Sequence, residues 1–118
     1  MAKESIVREK AFSFAIKIVK LYQFLSTEKK EFVLSKQILR SGTSIGANIE
    51  EADGAISKKE FSNKISIATK EARETSYWLR LLEATGFIEK HLFETVVFDC
   101  EELYNLLFAI IRTTRIKN

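Results

Sequence analysis

Four stretches of this chain repeat apolar residues at alternating steps of four and three, and the chain contains no proline. The clearest stretch is the third, which runs from Phe61 to Leu82. Such steps place one apolar stripe along a helix and are typical of the seams between packed helices. Since proline breaks helix interiors, its absence favours long uninterrupted helices. The pattern therefore predicts an all-α chain with helices near residues 5–26, 30–53, 58–85 and 89–115, with Ser35 as the latest start of the second helix.

Short polar segments separate the predicted helices. Ser57 and Glu60 form a capping box at the start of the third helix. Gly54 and Gly86 are each expected to end a helix in a left-handed conformation. Short connections make successive helices antiparallel. The sequence therefore predicts a single domain over residues 1–118, folded as an antiparallel up-down-up-down four-helix bundle.

The second predicted helix is rich in small residues between positions 40 and 52. Gly42 and Gly46 lie one helical turn apart on one face. Each glycine costs about 0.8–1 kcal/mol relative to alanine in a helix interior. Close packing of another backbone would offset that cost. The two glycines are therefore predicted to contact either a neighbouring helix of the bundle or a second subunit.

Asn48 falls on the apolar stripe of the same helix. A buried amide without partners would cost about 1–3 kcal/mol. We expect Asn48 to hydrogen-bond to another helix and fix the helix register, or else to face a ligand or an oligomer axis. Ser41 and Ser44 are candidate partners, and Arg40 and Glu74 are expected to join the same network.

Two blocks of this sequence resemble a known bacterial family. The first is Arg40-x3-Ser44-Ile45-x2-Asn48-Ile49-x-Glu51, and the second comprises Lys59-Glu60-Phe61, Ser66-Ile67-Ala68, Glu74 and Gly86-Phe87-Ile88. They resemble the signature of the four-helix-bundle proteins encoded in intervening sequences of 23S ribosomal RNA genes. The resemblance extends over roughly residues 6 to 115. Gly46 and Ala52 depart from the pattern, which often has proline and glycine at these positions.

The resemblance implies a ribosomal-protein-like bundle that assembles into a ring-like homo-oligomer, typically a pentamer. Related accessory proteins of diversity-generating retroelements are basic rings that bind nucleic acid and a reverse transcriptase. RNA, DNA and a protein such as a reverse transcriptase are therefore the partners that the resemblance suggests. The signature residues are expected to serve packing or an interface: Arg40, Gly42, Ser44, Ile45, Gly46, Asn48, Ile49, Glu51 and Glu74.

Basic residues are expected to gather at one end of such a bundle, although the formal net charge is only +3. That end holds the start of the first helix, the connection between the second and third helices, and the last turn of the fourth. The candidate phosphate contacts there are Lys3, Arg8, Lys10, Lys58, Lys59, Arg112, Arg115 and Lys117. Acidic residues share this end, and the last three basic residues would also complement the dipole of the fourth helix.

The chain offers little for catalysis or metal binding. His91 is the only histidine, and Cys100 is the only cysteine and falls on the core stripe of the fourth helix. A zinc site needs more donors, and the Glu-x-x-His pattern of di-iron bundles is missing. We therefore predict no enzyme, no cofactor and no metal.

A single cysteine, no signal peptide and no apolar run of about 20 residues predict a cytoplasmic protein that does not enter a membrane. The leading hypothesis is a non-enzymatic homo-oligomer that binds the backbone of RNA or DNA. No base-reading motif is present, so such binding would depend on shape and salt. The alternative is a protein-interaction scaffold or accessory subunit without direct nucleic-acid binding.

Overall fold

The computed structural model describes the backbone of residues 2–117 and the side chains of residues 5–114. Four helices account for most of the chain: α1 (Ala2–Thr27), α2 (Leu34–Asp53), α3 (Lys58–Ala84) and α4 (Lys90–Lys117). No strand occurs between residues 2 and 117. The predicted all-α fold is confirmed. None of these helices, over the same range, is long and apolar enough to cross a membrane.

Each helix packs mainly against its neighbours in sequence, α1 and α4 contact each other more sparsely, and within residues 2–117 the backbones of the pairs α1–α3 and α2–α4 do not touch. Arg40 of α2 reaches Glu74 of α3, whereas Glu51, further along α2, reaches Lys64 at the start of α3. Residue numbers thus rise along one helix as they fall along the next, which is antiparallel packing. The bundle is elongated, at 46 × 21 × 20 Å. In this arrangement α1 lies diagonally across the bundle from α3.

Within the mostly apolar core, one buried pair of polar side chains joins α2 to α3. Ser41 and Thr75 are both fully buried. Their hydroxyl oxygens are 2.8 Å apart, and the Thr75 hydroxyl also lies 2.8 Å from the carbonyl oxygen of Glu71. A register shift between these helices would break this hydrogen bond and leave the Ser41 hydroxyl buried without it, at about 1–3 kcal/mol, whereas Thr75 would keep its bond to Glu71. The pair therefore fixes how α2 and α3 align.

Gly42 and Gly46 of α2 both face α1. A Cβ atom added at Gly42 would lie 2.8 Å from both γ carbons of Ile18, and one added at Gly46 would lie 3.6 Å from the Cβ atom of Ala11. Of the two predicted contacts, a neighbouring helix and a second subunit, the structure shows the neighbouring helix. The glycines therefore let α1 and α2 pack closely within the bundle.

The prediction that Asn48 hydrogen-bonds to another helix is wrong. Its amide nitrogen donates to the carbonyl oxygen of Ser44 at 2.9 Å and to the Ser44 hydroxyl at 3.1 Å. Ile49 is buried in its place, and Asn48 is only partly buried. The reason is geometric: a straight helix has 3.6 residues per turn, so the buried positions drift away from a strict seven-residue repeat. Asn48 is satisfied within α2 and does not set the register.

Both ends of α3 have the predicted caps. The hydroxyl of Ser57 accepts the backbone N–H of Glu60 at 3.0 Å. Beyond the other end, Gly86 has φ +84°, and the N–H of Phe87 donates to the carbonyl oxygen of Leu82 at 2.9 Å. A left-handed glycine with this long hydrogen bond is the Schellman motif. Phe87 accordingly folds back and packs against the core.

The left-handed cap predicted at Gly54 is wrong. Gly54 has φ −93°, an ordinary value for any residue. The N–H of Ala55 instead donates to the carbonyl oxygen of Ala52 at 3.1 Å. This tightening of the last turn satisfies a terminal carbonyl without a positive φ.

Glu31 caps α2, which begins at Leu34 and thus later than the predicted residue 30. Its carboxylate accepts the backbone N–H groups of Val33, Leu34 and Ser35 at 3.2, 3.0 and 2.6 Å. These are N–H groups that a helix start leaves without intrahelical partners. Burial by itself would raise the pKa of Glu31, but these hydrogen bonds outweigh it and hold the pKa below 4.5.

Glu31→Ala is therefore expected to lower the free energy of unfolding by about 1 kcal/mol at neutral pH, as loss of a helix cap does. A carboxyl whose pKa is lower when folded contributes stability above its unfolded pKa and loses that contribution as the pH falls through the folded value. Urea unfolding over a pH series should therefore show the difference between variant and parent in full at pH 7 and shrinking as the solution is made acidic. Equal stabilities at pH 7 would contradict the capping role.

Candidate nucleic-acid interface

Carboxylates of neighbouring helices neutralise part of the basic end predicted from the sequence. The Arg8 guanidinium lies 3.4 Å from the carboxylate of Glu50 and 3.2 Å from that of Asp53. The Lys10 ammonium lies 3.3 Å from the carboxylate of Glu102. Exposed pairs of this kind add little stability, but they lower the local positive potential. Arg8 and Lys10 are therefore surrounded by less positive potential than their own charges alone would give.

The other predicted basic residues differ in their surroundings. Lys58 and Lys59 are exposed at the start of α3. Arg112 is exposed on α4, and its guanidinium carbon lies 5.7 Å from the centre of the Phe108 ring. The side chains of Lys3, Arg115 and Lys117 lie outside the described residues.

A basic stripe that the sequence prediction missed runs along the outer face of α3. We call it the α3 stripe, and it consists of Lys59, Lys70, Arg73 and Arg80, with Asn63, Ser66 and Tyr77 between them. These positions follow each other at steps of three and four and therefore share one face of the helix. That face points away from the core positions of α3. No acidic residue occurs on it.

The α3 stripe carries positive charge of its own, although acidic residues border it. Glu71 and Glu74 point toward α2, where the Arg40 guanidinium contacts both carboxylates, the first at 3.3 Å, and offsets one of their two negative charges. Lys70 and Arg80 are exposed, and within residues 5–114 neither lies within 4.0 Å of a carboxylate. The stripe itself thus bears four positive charges and no negative one.

Aromatic rings lie within and beside the stripe. Tyr77 is 48% exposed, and the Arg80 guanidinium carbon lies 5.7 Å from its ring centre. Trp78 packs edge-on against Tyr77 at 5.1 Å and donates its indole N–H to Glu74 at 2.9 Å. Arg40, Glu74 and Trp78 therefore form one network, and it holds one edge of the stripe in place.

A second aromatic pair on α4 continues this surface. An Arg73 guanidinium nitrogen donates to the Tyr104 hydroxyl at 3.1 Å. The rings of Tyr104 and Phe108 stack with centres 6.0 Å apart at 10°. Phe108 remains 41% exposed, with Arg112 above it. The interface thus spans α3 and α4 and includes Lys59 and Arg112 from the predicted set.

The signature residues of α2 serve packing and local contacts in the structure. Ile45 and Ile49 belong to the core, and the Ser44–Asn48 pair is satisfied within the helix. The Glu51 carboxylate lies 2.7 Å from the ammonium of Lys64.

Cys100 and His91, the residues considered for catalysis and metal binding, lie in different surroundings. Cys100 is buried with its sulfur 3.1 Å from the carbonyl oxygen of Ala72. Burial raises the pKa of its thiol to about 12. The thiol is therefore neutral at physiological pH and a poor nucleophile. His91 is exposed, and within the described residues no three His, Cys, Asp or Glu side chains gather in a way that would hold a metal ion.

Apolar side chains stand exposed on α1, on the opposite side of the bundle from α3. The α1 apolar stripe consists of Phe12, Ile16 and Val19, of which Phe12 is 68% exposed. On the neighbouring helix α4, Phe98 is also exposed. Contiguous exposed apolar residues mark interaction surfaces in many proteins. The bundle therefore presents a basic side and an apolar side.

Comparison with known proteins agrees with the fold and with the signature blocks. Residues 3–109 match the model of the 23S rRNA-intervening sequence protein family. A crystal structure of a protein of unknown function from the S23 ribosomal protein family of Bacteroides thetaiotaomicron VPI-5482 is 54% identical, with a TM-score of 0.92. The similarity covers 93% of this chain and 98% of that one. No functionally curated protein matches significantly. The chain therefore belongs to the 23S rRNA-intervening sequence protein family.

Proposed function

We propose that this protein is a non-enzymatic nucleic-acid-binding module of the cytoplasm, and that it holds the backbone of RNA or DNA on the α3 stripe. The observation that carries the proposal is the charge pattern of α3. Its outer face has four basic residues and no acidic one, and Arg40 offsets one of the two negative charges of Glu71 and Glu74 beside it. Lysine and arginine bind phosphates by displacing condensed counterions, whatever the base sequence.

The proposal makes a quantitative statement about salt. Each phosphate contact contributes about −0.7 to −0.9 to the slope of log affinity against log salt concentration. The four basic residues of the stripe should together give a slope between roughly −3 and −4. Fluorescence anisotropy with a labelled 20-nucleotide probe, titrated between 50 and 200 mM salt, measures this slope. No binding at 50 mM, or an affinity indifferent to salt, would contradict the proposal.

The alternative is a scaffold for a protein partner, such as a reverse transcriptase, that does not touch nucleic acid itself. It takes its support from the α1 apolar stripe. Affinity capture from nuclease-treated lysate separates the two functions, since a scaffold retains its partner and a nucleic-acid tether loses it.

We also propose that the chain forms a ring-like homo-oligomer, with a pentamer as the expected size, and that the α1 apolar stripe lies in the subunit contact. The support is the exposure of Phe12, Ile16 and Val19. Burying such side chains contributes about 1.5–3 kcal/mol each. A closed ring pairs this face with a different face of the next subunit. Because α1 lies diagonally across from α3, the α1 apolar stripe does not cover the α3 stripe of its own subunit.

The double substitution Phe12→Ser and Ile16→Ser should dissociate the assembly. Light scattering should then give the 13.6 kDa mass of one chain, whereas the parent protein should give a multiple of it. Ile56→Ser is the matched control, because Ile56 is 93% exposed and lies in the connection between α2 and α3. A parent protein that already has the mass of one chain would overturn this proposal.

A further inference from the structure

Two half-exposed aromatic rings interrupt the basic side chains of the interface. Tyr77 lies on the α3 stripe between Arg73 and Arg80, and Phe108 lies on α4 beside Arg112. A surface that bound only phosphates would gain nothing from leaving such rings in contact with water. Their position among the cations calls for a ligand that has both phosphates and flat apolar faces.

The two rings lie on either side of the hydrogen bond between Arg73 and Tyr104. Tyr77 is four residues beyond Arg73, and Phe108 is four residues beyond Tyr104. At 1.5 Å per residue each step is about 6 Å along the helix axis. Since α3 and α4 are antiparallel, the two steps run in opposite directions, so the rings are about 12 Å apart along the bundle. Cations and rings therefore alternate from Arg80 to Arg112.

The neighbouring residues hold both rings in fixed orientations. Trp78 packs edge-on against Tyr77 at 5.1 Å, and Tyr104 stacks on Phe108 at 10°. Guanidinium groups lie over each ring within about 6 Å, and because Arg80 and Arg112 are exposed on the surface, a stacking base displaces them from the ring face that they cover. Rings held in this way lose little conformational freedom when a base stacks on them.

A surface on which cations and exposed rings alternate favours a single strand over a duplex as its ligand. In a duplex the bases are paired and stacked on each other, and their flat faces are closed to a ring on a helix surface. In a single strand the faces are open, and stacking on aromatic side chains adds to the phosphate contacts without regard to sequence. Duplex binding would use the cations and leave the rings unused.

We infer that the preferred ligand of this interface is single-stranded nucleic acid, whose phosphates lie along the α3 stripe and whose bases stack on Tyr77 and Phe108. The inference rests on the proposed function, which requires only that the stripe binds phosphates.

The test compares single-stranded RNA, single-stranded DNA and duplex DNA of one 20-nucleotide sequence by fluorescence anisotropy. Phe108→Leu and Tyr77→Leu should each weaken single-strand binding roughly 10-fold and leave duplex binding nearly unchanged. The salt slope should stay the same, because neither change removes a charge. Phe32→Leu is the matched control, since Phe32 is an exposed phenylalanine in the connection between α1 and α2, outside the interface. Thermal melting verifies that each variant is folded.

The inference is overturned if the parent protein binds duplex as tightly as single strands, or if neither leucine variant weakens single-strand binding. In both cases salt-dependent binding would remain, and the proposed function would stand. If none of the three ligands binds at 50 mM salt, the proposed function and the inference fail together.

Discussion

Gly42→Leu is expected to lower the free energy of unfolding by about 3 kcal/mol, at the upper end of the usual cost of overpacking. A Cβ atom alone would lie 2.8 Å from both γ carbons of Ile18. Ile18 is fully buried, and as a β-branched residue it has one strongly preferred rotamer in a helix. It therefore cannot turn aside, and the leucine would force α1 and α2 apart. Urea unfolding followed by circular dichroism measures the loss.

Gly46→Ala is the matched control and should raise the free energy of unfolding. Its Cβ atom would lie 3.6 Å from the Cβ atom of Ala11, an ordinary van der Waals contact. Replacing a helix-interior glycine by alanine then stabilises by about 0.8–1 kcal/mol. If Gly42→Leu kept the stability of the parent protein but changed the oligomer mass, the glycine would instead face another subunit.

The triple substitution of Lys70, Arg73 and Arg80 by glutamine should weaken nucleic-acid binding on the order of 10²-fold at 50 mM salt. Three phosphate contacts would be lost, so the salt slope on a single strand should become shallower by about 2. All three side chains are exposed, so circular dichroism should show an intact bundle. Anisotropy titration at several salt concentrations measures both changes.

A control variant separates the effect of total charge on affinity from the effect of where the charges lie. Replacing Lys20, Lys36 and Lys90 by glutamine removes the same total charge from exposed sites on the other three helices. This control should retain most of the affinity of the parent protein. Equal losses in the two triple variants would show that binding does not depend on the α3 stripe.

Features of the fold that depend on local spacing were predictable from the sequence. Burial of one face per helix imposes a repeat near 3.6 residues, and that repeat is visible along α3. The cap at Ser57 and the left-handed Gly86 were predictable too, because each depends on residues within one turn. The cap from Glu31 was missed, because a glutamate preceding a helix by three residues is a weak signal.

The candidate site was less predictable, because it depends on which side chains meet across helices. Arg8 and Lys10 were placed at the correct end of the bundle, but their pairing with Glu50 and Glu102 follows from distances that only the packed structure supplies. The α3 stripe was open to prediction, since Lys59, Ser66, Arg73 and Arg80 recur every seven residues. The seven-residue spacing that locates the apolar stripes also locates this basic one.

The sequential packing of the helices has a consequence for how the chain folds. Because each helix meets mainly the next one along the chain, most native contacts join residues of low sequence separation. Little chain entropy is then lost before contacts form, and helical bundles of this topology fold in microseconds to milliseconds. The slowest-forming contact would be the sparse one between α1 and α4, the two ends of the chain. A full-length chain that refolds thus exposes its apolar surface only briefly, which limits its opportunity to aggregate.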